Sequence, residues 1–193
     1  MNPVAVLYAT REGHTKRIAE FIGHGLNTRG LPCDVNQLSR QRAAHDLSRY
    51  AAVVVASPVH VGKHAPEALV FVKSHRADLE RMRSAFVCVT LSQAGVQRAN
   101  ASAKDHQKFV ADVRRVNERF FAQTGWHPTH VVNVAGALLY TRYNFLIRFV
   151  MKRIARASGG STDTTRDHDF TDWAELDRFV SGFAVEILSP TEA

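Results

Sequence analysis

Hydrophobic residues follow two patterns that alternate along this chain. Short, nearly continuous apolar runs rich in β-branched residues, such as YAAVVVA at 50–56 and AFVCVTL at 85–91, are typical of strands buried on both faces of a parallel sheet. Between them, longer stretches carry apolar residues at helical spacing. The predicted strands are 3–9, 32–38, 50–56, 85–91 and 130–139, and the predicted helices are 13–28, 39–49, 66–80, 102–123, 141–157 and 171–188.

This alternation predicts an α/β fold with an open, doubly wound parallel sheet, because parallel neighbours need a crossover between them. We expect a single domain over 1–193, since 193 residues are enough for one sizeable core. The chain has neither an internal repeat nor a low-complexity segment. The polar stretch 92–103 is the one segment expected to be weakly ordered. The residues of helix 66–80 expected to face inward are Leu69, Val70 and Val72.

The junction between the first strand and the first helix is a candidate anion site. Residues 10–15 read T-R-E-G-H-T, and in doubly wound sheets ligands bind at the carboxyl ends of the strands. Backbone N–H groups and the helix dipole favour an anion there, Thr10 and Thr15 add hydroxyls, and Gly13 allows a close backbone approach. An ordinary N-capped strand-to-helix turn is the alternative. The spacing is neither that of a Walker loop nor G-x-G-x-x-G.

Composition and charge restrict the kinds of molecule that the protein is expected to bind. An apolar fraction of 45% and a charged fraction of 22% are ordinary for a globular protein, and no apolar run has membrane-spanning length. The first nine residues lack the pattern of a signal peptide. Cys33 and Cys88 have no metal or redox spacing, which favours a reducing cytosol. The net charge of +7 favours an anionic partner: nucleic acid, a membrane surface or an acidic small molecule.

The T-x-x-G-x-T pattern of the first loop resembles the phosphate loop of flavodoxin-like proteins, which hold flavin mononucleotide (FMN) without a metal. Two further loops, after the third and fourth strands, both begin with serine and carry glycine. The C-terminal third adds more specific motifs: GALLYTRY at 136–143, SGGSTDT at 158–164 and FTDW at 170–173. With these motifs, the chain resembles, nearly end to end, the menaquinone-dependent protoporphyrinogen IX dehydrogenase family.

The resemblance implies a flavodoxin-like sheet in the order 2-1-3-4-5 with an extra basic helix before the C-terminal helix. It implies FMN-dependent dehydrogenation of protoporphyrinogen IX to protoporphyrin IX, with a membrane quinone as acceptor, in haem biosynthesis. It also implies a cytoplasmic enzyme held peripherally at the inner face of the cell membrane. Homo-oligomerisation is left open, and no catalytic acid or base is assigned.

Residue by residue, the resemblance implies three cofactor-binding loops. In the family a tyrosine precedes the glycine of the second loop, where it could stack on the flavin, whereas this chain has Val61. His60 is an alternative neighbour of the ring. The phosphate loop would be Thr10, Arg11, Glu12, Gly13, His14 and Thr15, and the ring would be bordered by Ser57, Pro58, Val59, His60, Val61, Gly62, Ser92, Gln93, Ala94 and Gly95.

The predicted helix 141–157 carries a basic face opposite its apolar stripe. A solvated exterior, with its aromatics covered by a neighbouring loop, is one interpretation. The other is a surface for a flat anion, either a porphyrinogen with two propionates or an anionic bilayer carrying a quinone. No nucleic-acid motif is present, so nucleic acid is not expected as a partner. The residues of this face are Arg142, Phe145, Arg148, Phe149, Lys152 and Arg156.

Several alternatives remain open at this level. His60 and His64 are four residues apart but have no third ligand close in sequence, so a metal site is not expected. His14 is either a phosphate partner or a surface residue. Two other functions fit the same fold. One is an electron-carrying flavodoxin, which the basic charge disfavours because flavodoxins are typically acidic. The other is an NAD(P)H–quinone reductase, for which the chain shows no dinucleotide fingerprint.

Overall fold

A computed structural model of the chain describes residues 2–39, 46–141, 149 and 163–189. Five long strands form one parallel sheet in the order β2-β1-β3-β5-β6, and the two-residue strand β4 pairs antiparallel with β3. Counted without β4, this is the predicted order 2-1-3-4-5, which is confirmed. The strands are β1 (Val4–Tyr8), β2 (Cys33–Gln37), β3 (Ala52–His60), β4 (Lys63–His64), β5 (Arg83–Thr90), β6 (His130–Ala135), β7 (Ala137–Leu138) and β8 (His168–Asp169).

Helices cover both faces of the sheet, as the continuous apolar strands require. On one face, Val4 and Val6 of β1 pack in a cluster with the first and last helices of the chain. On the other, Ala5 and Leu7 pack in a second cluster that includes Trp126. The helices are α1 (His14–Thr28), α2 (Pro66–Ser74), α3 (Arg76–Leu79), α4 (Leu91–Val96), α5 (Ala103–Thr124) and α6 (Trp173–Leu188), with a 3-10 turn at Leu47–Arg49. Among the described helices, none combines the length and apolar character needed to cross a bilayer.

The predicted helix 66–80 is two helices, because the backbone leaves helical geometry at His75. The His75 ring lies with its Nδ1 3.0 Å from the Phe71 carbonyl oxygen, at the end of α2. The side chain of Phe71 is buried, whereas Val70 is 40% exposed. The expectation that Val70 faces inward is therefore wrong, and Phe71 takes the core position.

Two other predicted segments differ from what is observed. Of the polar stretch 92–103, predicted to be weakly ordered, residues 92–96 are helical and belong to α4, whose N-terminus is capped by the Thr90 hydroxyl. The predicted strand 130–139 ends at Ala135, and β7 after it turns away to pair with β8 in a separate two-stranded sheet. Most of the predicted helices 39–49 and 141–157 lies outside the described residues.

Candidate functional site

Three loops meet at one edge of the sheet, because they follow β1, β3 and β5, which are adjacent and parallel. The first contains residues 10–15. Its backbone turns at Gly13, which has a φ of 93°, a left-handed conformation that glycine adopts at little steric cost. The Gly13 N–H donates a 3.0 Å hydrogen bond to the Thr10 hydroxyl, which closes the loop directly before α1.

The N-terminus of α1 carries no side-chain cap and no acidic residue in its first turn. By contrast, α5 is capped by Ser102 with Asp105 in its first turn, and α6 is capped by Asp172 with Glu175 in its first turn. The first N–H groups of a helix have no intrahelical acceptor, and the helix dipole makes that end positive. At α1 both features are left for an external anion, which does not match the alternative of an ordinary N-capped turn.

His14, the first residue of α1, is buried, so its interpretation as a surface residue is wrong. Its Nε2 lies 2.8 Å from the hydroxyl of Thr171, and that hydroxyl donates its single proton to the Ala135 carbonyl. Nε2 must therefore carry a proton and donate to Thr171. Burial lowers the pKa of His14, while Asp169 opposes this shift and Arg17 adds to it. The contact joins the first loop to the end of β6, and no pattern in the sequence indicates it.

The second loop is the tip of a β-hairpin that the strand prediction missed. Val61 and Gly62 lie between β3 and β4 with φ values of 49° and 68°, as in the two-residue turn that joins hairpin strands. The Val61 side chain is fully exposed, so it contacts nothing else in the described chain. A β-branched residue in this conformation is strained, because its Cβ crowds the backbone.

One hydrogen bond closes the hairpin, and one close approach brings it next to the first loop. Ser57 is buried and accepts a 3.2 Å hydrogen bond from the Ala65 N–H, on the far side of the turn. His60 Nε2 lies 3.5 Å from a carboxylate oxygen of Glu12, so the second loop touches the first. Burial lowers the pKa of His60; Glu12 opposes this shift and Arg11 adds to it. His60 is therefore neutral at pH 7.

The third predicted loop, Ser92 to Gly95, lies within α4. Gly95 faces α5, where an added Cβ would approach the ring of Phe109 to 2.5 Å. Packing of α4 against α5 is thus a sufficient reason for this glycine. The structure brings this helix to the same edge as the other two loops, and its contact with a flavin ring stays a prediction.

The basic face of the C-terminal third falls almost wholly outside the described residues. Phe149 is described, and it is helical and 56% exposed. The other members of that face lie beyond the described ranges, so their role also stays a prediction: Arg142, Phe145, Arg148, Lys152 and Arg156. No group of three or more acidic, histidine or cysteine side chains that could hold a metal ion occurs among the described residues.

Comparison with known proteins places this site in a family. The flavodoxin domain family matches residues 5–165. Protoporphyrinogen IX dehydrogenase [quinone] of Escherichia coli K12 is 31% identical over 187 residues, which cover 97% of this chain and 95% of that protein. The enzyme of the same name from Leishmania major is 33% identical over 180 residues, 93% of this chain and 73% of that protein.

Solved structures agree on the fold. Oxidised flavodoxin 2 from Bacillus cereus superposes with a TM-score of 0.57 at 14% identity, covering 95% of this chain and 99% of that one. A Streptococcus pneumoniae TIGR4 flavodoxin gives a TM-score of 0.51 at 16% identity, covering 95% of this chain and 98% of that one. The match to the flavodoxin domain family indicates a flavin cofactor. The chain belongs to the flavodoxin-domain proteins and, among them, to the family of the protoporphyrinogen IX dehydrogenases [quinone].

Proposed function

We propose that the protein dehydrogenates protoporphyrinogen IX to protoporphyrin IX, with FMN as cofactor and a quinone as electron acceptor. Relatives of that name match 31–33% of its residues over nearly the whole chain. The structural observation that carries the proposal is the open N-terminus of α1, where neither a side-chain cap nor an acidic residue competes with an anionic ligand. The phosphate of FMN is one of the anions that such a helix end binds.

The residues present fit FMN. The backbone of residues 10–15, with the hydroxyls of Thr10 and Thr15, would hold the phosphate. Residues 57–62 and 92–95 would border the ring at the same edge of the sheet. FMN, when bound, supplies the two-electron acceptor for the substrate, and the protein supplies binding and orientation.

The described residues also determine the net charge at the edge of the sheet where the three loops meet. Burial lowers the pKa of both His14 and His60, so both rings are neutral at pH 7. Positive charge near the phosphate loop comes instead from the exposed Arg11 and from the end of α1. An anionic cofactor is attracted to these groups.

We further propose that the segment 141–157 attaches the enzyme peripherally to the anionic inner face of the cell membrane, where a quinone is available. The support is its sequence, which places four cations and two phenylalanines on one helical face. Replacing Arg142, Arg148, Lys152 and Arg156 together with glutamine should weaken sedimentation with vesicles containing anionic lipid. Unchanged sedimentation and unchanged quinone-coupled turnover would contradict this assignment.

The first experiment is the visible absorption spectrum of the purified protein, after FMN is added if it is colourless. A two-banded flavin spectrum is expected. Anaerobic protoporphyrinogen IX and menaquinone should then yield porphyrin fluorescence. Failure to bind any flavin would overturn the assignment. A bound flavin that porphyrinogen does not reduce, but that NAD(P)H or a flavodoxin reductase does, would replace it with a quinone reductase or an electron carrier.

A further inference from the structure

A cleft of about 600 Å³ opens beside the second loop, between the β3–β4 hairpin, the start of α2 and one face of α5. Its size is within the range of pockets that take small organic ligands. One face of α5 lines the cleft, and helical spacing places on it Val116, Arg119, Phe120 and Gln123. Two of the residues assigned above to the cofactor loops, Arg11 and His60, also line this cleft.

The lining combines an apolar floor with a cationic rim. Three cations, Arg11, Lys63 and Arg119, are exposed, and no acidic residue is among the described residues of the lining. Within the described chain, no ion pair joins any of the three to a carboxylate, whereas Arg114 and Arg115 of the same α5 are each paired with an acidic residue. The apolar floor consists of Ala65, Pro66, Leu69, Val116 and Phe120.

The histidines of the cleft add no positive charge at pH 7. Burial lowers the pKa of His64 to about 4, and its ring packs edge-on against Phe86 and Phe120. Burial also lowers the pKa of His60. The charge of the cleft is therefore carried by its rim, and its floor offers only apolar and aromatic surface.

We propose that this cleft binds the tetrapyrrole substrate, with its two propionates paired to Lys63, Arg119 and Arg11 and its ring system over the apolar floor. The inference rests on the proposed function and adds the location of the substrate. A flat molecule with two carboxylates matches a cleft that combines apolar lining with three exposed cations. Because Arg11 and His60 border both sites, a ligand in the cleft lies next to the edge where the flavin is placed.

The two basic regions of the chain, the cleft and segment 141–157, would then bind different partners. With the propionates in the cleft, the cations of segment 141–157 are left for the membrane surface. Removing charge from the cleft should then weaken tetrapyrrole binding, and removing charge from the segment should not.

Binding of protoporphyrin IX, the stable product, to the FMN-loaded protein tests the inference through porphyrin fluorescence. The double variant Lys63→Gln/Arg119→Gln should raise its Kd about tenfold, because two charge-assisted contacts are lost. The dimethyl ester, which lacks both carboxylates, should bind the wild type more weakly and should not respond to the double variant. Lys108→Gln, an exposed lysine about three turns of α5 away from Arg119 and outside the cleft lining, is the charge-matched control and should bind like the wild type.

An unchanged flavin spectrum shows that the double variant is folded. Wild-type affinity of the double variant for protoporphyrin IX would overturn the inference. So would equal binding of the diacid and the diester by the wild type, or a larger loss of affinity in the quadruple variant of segment 141–157. The proposed function is tested separately, by wild-type turnover. If the double variant turned over protoporphyrinogen IX with the wild-type KM, the proposed function would stand and the cleft would be excluded as the substrate site.

Discussion

His14 and Thr171 are 157 residues apart in sequence, yet the Nε2 of His14 donates a 2.8 Å hydrogen bond to the Thr171 hydroxyl. The same hydroxyl donates to the Ala135 carbonyl at the end of β6. One threonine therefore connects the candidate phosphate loop, the last strand of the parallel sheet and the segment leading into α6. Arg17 strengthens this connection, since it lies over the Trp173 ring and pairs with Asp169.

Replacing Thr171 with valine should break this connection with little change in volume. His14 Nε2 and the Ala135 carbonyl would both lose their partner, which should lower the free energy of unfolding by about 1–3 kcal/mol. The first loop should also hold FMN more weakly, because its first helical residue is no longer fixed. Urea unfolding and FMN titration measure the two effects. Thr165→Val, which removes an exposed hydroxyl bonded to Asp163, is the matched control. Equal stability and FMN affinity in the two variants would contradict this account.

Buried neutral histidines should make the protein sensitive to mild acid. The pKa of His64 is lowered to about 4 from an ordinary value near 6.5, so the unfolded chain takes up this proton first as the pH falls. Stability is therefore lost between about pH 6.5 and 4, and His64 alone should cost about 2 kcal/mol between pH 7 and 5. The lowered pKa values of His14 and His60 act in the same direction.

Urea unfolding of the His64→Gln variant at pH 7 and pH 5 isolates this contribution. The variant is expected to be less stable at pH 7, because the packing of His64 on Phe86 and Phe120 is lost, but its stability should fall less on acidification. His24→Gln, at an exposed position of α1, should keep the wild-type pH dependence. If the free energy of unfolding fell as much between pH 7 and pH 5 in His64→Gln as in the wild type, the His64 ring would not be buried in its neutral form.

Gly13 and Gly30 offer a matched pair for the phosphate loop. Both have positive φ, 93° and 81°, so leucine at either position should cost about 1–2 kcal/mol of stability. Nothing lies within 4 Å of a Cβ added at Gly30, which is remote from the three loops. Only Gly13→Leu should therefore lose FMN, as measured by the visible spectrum during titration. Loss of FMN from both variants, or from neither, would place the phosphate elsewhere.

An aromatic side chain in place of Val61 should increase the affinity of the protein for FMN. Its side chain is fully exposed at the hairpin tip, in the position where the family resemblance implies a stacking tyrosine. Val61→Tyr should bind FMN about fivefold more tightly, since an aromatic stacking contact contributes about 1 kcal/mol. Val61→Ala should bind like the wild type, because valine has no contact to lose. Quenching of FMN fluorescence measures both, and a tyrosine variant with unchanged affinity would place the ring away from this tip.

Elements with a strong local pattern were predictable. Apolar runs rich in β-branched residues identified four of the five long strands, and alternation around Val35 identified β2. Helical spacing identified α1, α5 and α6. The turn before α1, with Gly13 in it, was also indicated, because helix ends use a few residue types at fixed offsets. The two-residue strand β4 is too short to leave a periodic pattern, and its Val-Gly turn has no common hairpin signature. α4 was missed because six residues carry less than two full turns of periodicity.

The sequence by itself therefore determined the α/β order, the parallel sheet and the loop at the N-terminus of α1, since each follows from the properties of neighbouring residues. Only the tertiary structure decided that His14 is buried on Thr171, that His60 lies against Glu12, and that Lys63 and Arg119 share one cleft. These pairs come from segments far apart along the chain. Their meeting depends on how crossovers and helices pack on the sheet, which local periodicity does not encode.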